Sequence, residues 1–216
     1  MAMRRREKRS ERSKLDATPP WDRRKPPDVA TTKGPFDLID APDDDSTRVD
    51  LGALRVPVSD LEMRVDVNEA QEVVSVTLVG QTGHMQLGVF AAPRSEGIWD
   101  EIRAEIAESV AEQHGTAADD ESAEFGIELV GRLPGEGGPT PVRFIGVDGP
   151  RWMLRAMLVG PCAVDSKKGE PFIEVFRQTV VVRGTDPLPV REPIALRLPA
   201  EVVEQITAEQ TAAESS

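Results

Sequence analysis

Two segments between Leu61 and Ala91 alternate apolar and polar residues, a third segment rich in β-branched residues lies between them, and no helical pattern separates the three. They read LEMRVDV, EVVSVTLVG and HMQLGVFA, and the turn-forming sequence GQTG joins the last two. Alternation with a period of two indicates strands that bury one face, and the β-branched residues of the second segment favour the same structure. This run of strands constrains the fold more than any other feature of the chain, because strands joined by short turns pair with their neighbours in an antiparallel meander.

One segment changes this period and predicts a helix over about residues 96–114. Its sequence, PRSEGIWDEIRAEIAESVAEQHG, places apolar residues every four positions, at Ile98, Ile102, Ile106 and Val110. That spacing puts them on one face of a helix, while acidic residues and Arg103 occupy the other face. Ser95 or the residue after it suits the N-cap, and Gly115 suits the end of the helix.

The second half of the chain contains four further predicted strands. Three of them are FGIELVG, VRFIGV and RWMLRAMLV, and the last two form a hairpin around Asp148-Gly149-Pro150. In FIEVFRQTVVVRG two patterns compete, because the spacing of Phe172, Val175 and Phe176 fits a helix whereas the run TVVV favours a strand. We predict a strand over about residues 175–183.

Loops and a closing helix complete the pattern. TAADDES and GPCAVDSKKGEP are predicted to be loops, IALRLP to be extended, and PAEVVEQI to be a short C-terminal helix that begins at Pro199. Because the strands come in runs, the sequence predicts an α+β fold, a mostly antiparallel sheet of about 6–7 strands with one main helix packed on it. We expect that helix to cover the apolar strand face formed by Trp152, Leu154, Ala156 and Leu158.

The first 55 residues lack hydrophobic periodicity, and their charge differs from that of the rest of the chain. Residues 1–33 hold 11 Lys or Arg and 5 Asp or Glu, a net charge of +6, whereas the whole chain carries −12 and the remainder therefore −18. A segment that cannot bury enough apolar surface stays disordered. We predict a disordered charged arm over 1–55, a single domain over 56–208 and a disordered tail over 209–216. The candidate contacts of the arm are Arg4, Arg5, Arg6, Lys8, Arg9 and Trp21.

Several chemistries lack their sequence signatures. The chain has a single cysteine and two histidines, with no CxxC or HxxxH pair, no GxxxxGK[ST] phosphate-binding loop and no GxSxG motif. We therefore expect no catalytic residue, no metal site and no cofactor. Cys162 is predicted to be an inert core residue, although neighbouring cations would activate it as a nucleophile. No apolar run approaches the ~20 residues of a membrane-spanning helix, so a cytoplasmic protein with no membrane contact is expected.

One strand combines an apolar face with an unusual second face. In RWMLRAMLV the second face carries alternating arginine and methionine, a mixture typical neither of a core nor of a fully solvated surface. Two lysines follow in the next loop. We take this set as the candidate interaction surface: Arg151, Met153, Arg155, Met157, Lys167 and Lys168.

Three strings, GHMQLGVFAAPRSEGIWDEIRAEI, VRFIGVDGPRWMLRAMLVGPCA and EVFRQTVVVRG, resemble an uncharacterised actinobacterial protein family known as a domain of unknown function. The resemblance covers roughly Gly34 to Glu204. It implies an actinobacterial source and a cytoplasmic setting, and it brings no catalytic or ligand-binding residues with it. The element order also resembles the small α+β modules of the type III secretion chaperone class, which often bind proteins and often dimerise.

Three functions follow from these observations. The favoured one is a non-catalytic protein-interaction or adaptor module with a charged, flexible arm, which binds a protein partner or a second copy of itself. The alternative is an accessory factor that contacts nucleic acid through the basic arm, since clustered cations attract phosphates. The third is a small-molecule enzyme built on the hairpin and loop over 151–168, with Arg151, Arg155, Lys167, Lys168 and Cys162 as its candidate residues.

Overall fold

The computed structural model describes residues 33–44, 46–68, 72–94, 96–135 and 137–198. Two helices lie within these residues, α1 at Trp99–Glu112 and α2 at Ser166–Gln178, and a 3-10 turn at Pro161–Ala163 precedes α2. The strands are β1 Phe36–Asp37, β2 Arg48–Asp50, β3 Leu54–Pro57, β4 Glu62–Val67, β5 Val73–Gly80, β6 Gly83–Ala91, β7 Thr116–Asp120, β8 Glu128–Leu133, β9 Thr140–Gly149, β10 Trp152–Val159 and β11 Val180–Val181.

Seven of the strands form one antiparallel sheet in the order β4-β5-β6-β10-β9-β8-β7. Strand β10 is central, and its Ala156 lies between Leu87 of β6 and Ile145 of β9. The predicted meander occupies one half of the sheet as β4, β5 and β6. The α+β class and the mostly antiparallel sheet are thus confirmed.

A second, four-stranded sheet has the order β1-β11-β3-β2 and contains one parallel pair, β1 with β11. Strands β1 and β2 and the start of β3 lie in the segment predicted to be a disordered arm over 1–55, so the described part of that segment, 33–44 and 46–55, is folded instead. The fourth strand, β11, comes from Val180–Val181. Leu51 and Leu54 are 1% and 0% exposed. Strands of two to four residues are too short to show a period, which is why the sequence pattern did not reveal them. Residues 1–32 lie outside the described residues.

The face of β10 that carries Trp152, Leu154, Ala156 and Leu158 belongs to the larger core, together with α2 and the small sheet. The prediction that this face packs against the main helix is wrong. Helix α1 contacts β7, β8 and β9 on the opposite face, where Met153 is fully buried with Trp99 and Val110. Alternation assigns residues to one of two faces, and it does not say which helix covers which face.

The helix predicted over 96–114 is confirmed, and it is α1. Its N-terminus is capped by a residue of β9, which lies far away in the sequence. The Asp148 carboxylate of β9 accepts hydrogen bonds from the backbone N–H groups of Ile98 (2.9 Å) and Trp99 (3.2 Å). Burial raises the pKa of Asp148, although these two hydrogen bonds act in the opposite direction. The cap fixes the start of α1 to the end of β9, an interior strand of the sheet that the helix covers.

Helix α2 replaces the strand predicted over 175–183. It begins inside the predicted loop GPCAVDSKKGEP, where the Asp165 carboxylate accepts hydrogen bonds from the N–H groups of Lys167 and Lys168, and it ends at Gln178. Only Val180–Val181 is a strand. The segment is helical because a helix places Phe172, Val175 and Phe176 on one face, and all three side chains fill the core.

Two smaller differences concern element boundaries. Part of the predicted loop TAADDES forms the edge strand β7, which pairs with β8. Strand β8 begins at Glu128, later than predicted, because Phe125 turns away to pack edge-on against Phe176 with ring centroids 5.0 Å apart. Within the segment predicted to be extended, Leu196 forms an antiparallel bridge with Val73. The predicted C-terminal helix from Pro199 and the tail over 209–216 lie outside the described residues.

Candidate functional site

A groove of about 1050 Å³ runs along helix α2. The loop between β3 and β4 and the turn between β5 and β6 form its other walls. Its apolar lining consists of Pro57, Val58, Leu61, Val79, Gly80, Pro171, Phe172 and Val175, and its polar lining of Ser59, Asp60, Glu62, Gln81, Thr82, Lys167, Lys168, Glu174 and Gln178. We call this feature the α2 groove.

The floor of the α2 groove is apolar, and an apolar side chain on one wall, Val58, is exposed to solvent. Val58 is 60% exposed, although it follows directly on the buried end of β3. Phe172 is 1% exposed and supports the floor from the core, in contact range of the Gly80 backbone. An exposed β-branched side chain beside a rigid apolar floor is typical of a surface that binds another apolar group.

The charges of the α2 groove are arranged along the helix. Lys167 and Lys168 lie in the first turn of α2, whereas Glu174 lies near its end. The Lys168 ammonium is 3.4 Å from the Asp165 carboxylate, an exposed pair that holds the side chain only weakly. Hydrogen bonds from the Lys168 backbone N–H and its side chain lower the pKa of Asp165, so the cap stays ionised. The Thr82 hydroxyl donates to the Lys168 carbonyl (3.1 Å) and fixes the turn of β5 and β6 to the helix.

The groove adjoins the free edge of the large sheet. Strand β4 pairs only with β5 among the described strands, and its first residue, Glu62, lines the groove. The exposed Glu62 and Arg64 side chains form a salt bridge along this edge (2.9 Å). Charged side chains are a common protection of edge strands, and the backbone groups beside them remain available for pairing.

The predicted interaction surface does not come together as one patch. Arg151 lies in the turn before β10, whereas Lys167 and Lys168 follow the far end of that strand, about 26 Å away by strand rise. Met153 is 0% exposed under α1, and it is therefore closed to a partner. Met157 is partly buried against the same cluster. Only the two lysines of the set reach the α2 groove.

The apolar wall of the groove escaped the sequence analysis. Val58 lies before the first strand of the predicted meander, where neither alternation nor a helical period applies. Leu61 was assigned to that strand, as its first apolar residue, and not to a binding surface. The one available signal was the isolated sequence RVPVSDL, with apolar residues beside a proline in an otherwise polar stretch. The arm residues Arg4, Arg5, Arg6, Lys8, Arg9 and Trp21 lie outside the described residues.

Cys162 is buried in the 3-10 turn, with 1% of its surface exposed. Its sulfur lies 3.4 Å from the Val159 carbonyl oxygen. Burial raises the pKa of the thiol, which suppresses the thiolate that a nucleophile requires. The described residues contain no cluster of three or more His, Cys, Asp or Glu side chains suited to a metal ion.

These features define an α+β protein with a seven-stranded antiparallel sheet covered by one helix on each face. The chain belongs to the DUF3710 family, described as a protein of unknown function, whose model matches residues 34–205. The predicted resemblance to a domain-of-unknown-function family is confirmed, and its actinobacterial restriction stays a prediction. No curated protein is significantly similar to the chain.

A solved structure from Bacteroides thetaiotaomicron VPI-5482 is similar to this chain with 12% sequence identity and a TM-score of 0.43. The match covers 76% of this chain and 57% of that one, so the chain spans little more than half the length of that protein. Neither helix in the described part of the chain has the length and apolar composition that crossing a bilayer requires.

Proposed function

We propose that this chain is a non-catalytic, cytoplasmic protein-interaction module that binds a short segment of a partner protein in the α2 groove. The observation that carries this proposal is the exposed Val58 beside the apolar floor over Phe172. Such a surface costs free energy while it faces water, and covering it with an apolar side chain recovers that cost.

The dimensions of the groove favour a peptide segment over a compact small molecule. Its lining extends along α2 from Lys168 to Gln178, about 15 Å at the rise of an α-helix. Four or five extended residues cover that length at about 3.3 Å each. The free edge of β4 at the same place supplies backbone donors and acceptors, as in complexes where a peptide adds a strand to a sheet.

The charges along α2 give the segment a direction. The end of the groove at Lys167 and Lys168 favours an acidic partner residue. The end at Glu174, a partly exposed carboxylate that also pairs with Arg177, favours a basic one. One or two apolar side chains between them would contact Val58 and Phe172. The charged ends then set specificity and orientation, while the apolar centre supplies most of the affinity.

A phage-displayed library of random peptides, selected on the immobilised full chain, tests this proposal. We expect enriched peptides with an apolar centre flanked by an acidic and a basic residue. Val58→Asp should weaken their binding at least tenfold, because it places a charge on the apolar wall. Val190→Asp is the matched control, since Val190 is 51% exposed and lies outside the groove lining. The proposal is wrong if no sequence is enriched, or if Val58→Asp binds the selected peptides as tightly as the original protein.

A further inference from the structure

Arg155 lies at the centre of the large sheet, on the α1 side, between two glycines. The register places Gly88 of β6 on one side of it and Gly146 of β9 on the other. Two aromatic rings take the space that the missing side chains leave. A Cβ atom at Gly146 would lie 2.1 Å from the Trp99 ring, and one at Gly88 would lie 3.3 Å from the Phe90 ring.

The Arg155 guanidinium is held against one of these rings and has no partner of opposite charge. Its central carbon lies 4.9 Å from the centroid of Phe90, a cation–π contact. Within the described residues, no carboxylate and no hydrogen-bond acceptor pairs with it. Burial lowers its pKa without any compensating charge.

The guanidinium groups of the other partly buried arginines within the described residues have partners in the protein. Arg103, Arg143 and Arg177 form salt bridges with Asp119, Glu128 and Glu124. Arg151 and Arg183 donate hydrogen bonds to backbone carbonyl groups. A partly buried charge without a partner destabilises a fold, and proteins keep such groups where a ligand supplies the missing charge. Arg155 is therefore the exception that requires an explanation.

The surface beside Arg155 is polar and preorganised. The Asp66 carboxylate accepts hydrogen bonds from the Ser75 hydroxyl (2.7 Å), the Thr77 hydroxyl (2.8 Å) and the Gln86 amide (3.2 Å). Helix α1 contacts β7, β8 and β9, so this part of the face, on β4, β5 and β6, lies beside the helix and not beneath it. Gln86 stands opposite Met157 in the register, two residues along β10 from Arg155.

We propose that Arg155, with Phe90 and Met157 beside it, forms a binding site for a small aromatic carboxylate. The guanidinium fork matches a carboxylate through two parallel hydrogen bonds. The Phe90 ring and the adaptable Met157 side chain offer an apolar contact for a planar body. The site lies on the opposite face of the sheet from helix α2, and it is independent of the proposed peptide binding.

The charge of the surroundings favours a carboxylate over a phosphate. A phosphate dianion is usually held by more than one cation or by a set of backbone N–H groups. The polar surface beside Arg155 also carries the Asp66 carboxylate, whose three hydrogen-bond donors keep it ionised. A second negative charge on the ligand would be repelled by it, so a single guanidinium with this neighbour selects a monoanion.

Titration of the full-length, 15N-labelled protein with benzoate tests the site. Benzoate should shift the backbone amide signals of Gly88 and Gly146 in a saturable way. Benzamide, its neutral isostere, and inorganic phosphate should not do so at the same concentrations. Arg155→Gln should weaken benzoate binding at least tenfold. Arg64→Gln is the matched control on the same face, because Arg64 is exposed and paired with Glu62, and its benzoate affinity should be unchanged.

A stability measurement separates a binding role from a structural one. Arg155→Met removes an uncompensated charge and keeps the unbranched stem, so it should leave the Tm unchanged or raise it. Saturating benzoate should raise the Tm of the original protein and leave that of Arg155→Met unchanged. The proposal is overturned if benzoate gives no saturable shift, if Arg155→Gln binds it as well as the original protein, or if Arg155→Met lowers the Tm by several degrees.

Discussion

The indole N–H of Trp152 donates a 2.7 Å hydrogen bond to the carboxylate of Asp37, 115 residues earlier in the chain. Trp152 is 0% exposed and Asp37 only 8%. The bond joins β10, the central strand of the large sheet, to β1 at the edge of the small one. It shows that Asp37 and the strand that carries it are part of the folded body, and that this acidic residue does not serve as a solvated charge.

Asp37→Ala should lower the free energy of unfolding by about 1.5–3 kcal/mol, because it leaves the buried Trp152 N–H without an acceptor. Urea unfolding followed by tryptophan fluorescence measures the change. Asp43→Ala is the control, since Asp43 is exposed and should shift the free energy by less than about 0.5 kcal/mol. Equal effects of the two substitutions would contradict the structural role of the bond.

Leu54→Ala should cost about 2–5 kcal/mol, because Leu54 is 0% exposed and its truncation leaves a cavity in the larger core. A disordered arm would give no change at this position, so the measurement distinguishes directly between the structure and the pattern-based prediction. Val58→Ala, four residues later and 60% exposed, is the comparison and should be nearly neutral. Thermal unfolding by circular dichroism is sufficient to detect the difference.

Gly146→Ala should destabilise the protein by about 1–3 kcal/mol, since the new methyl group would meet the Trp99 ring at 2.1 Å and push α1 away from the sheet. Gly137→Ala is the control, because nothing lies within 4 Å of a Cβ atom there. The fluorescence of Trp99 should change in the first variant alone. If Gly146→Ala leaves the free energy of unfolding unchanged, the close packing of α1 on β9 does not contribute to stability as predicted.

Stability should fall at acidic pH partly through Asp66. Burial alone would raise its pKa, but the hydrogen bonds from Ser75, Thr77 and Gln86 together lower it below the ordinary value of 3.8. A carboxylate whose pKa is lower in the folded state stabilises the fold above the unfolded-state pKa, and this contribution is lost as the pH falls through the folded-state value. Asp66→Asn should therefore flatten the loss of stability below about pH 4. Chemical denaturation at pH 7 and at pH 3 would test this, and an unchanged pH dependence would contradict it.

Local patterns predicted some parts of the candidate site well and others not at all. Lys167 and Lys168 were singled out and do line the groove, but they were assigned to a loop because the Pro171 ring and the following TVVV run concealed the helix. Val58 was missed because an exposed apolar residue between two elements has no periodic neighbours. Arg155 was singled out for its place on a mixed face, and only the register showed that two glycines flank it.

Local sequence patterns predicted the order of most strands of the large sheet, the main helix at about 96–114 and the antiparallel character of that sheet. These depend on periodicity and turn residues, which act between near neighbours in the chain. Tertiary contacts determine which helix covers which face, whether residues 33–44 and 46–55 fold, and which charges find a partner. Those outcomes depend on contacts between residues far apart in sequence, such as Trp152 with Asp37, whose energies no local pattern contains.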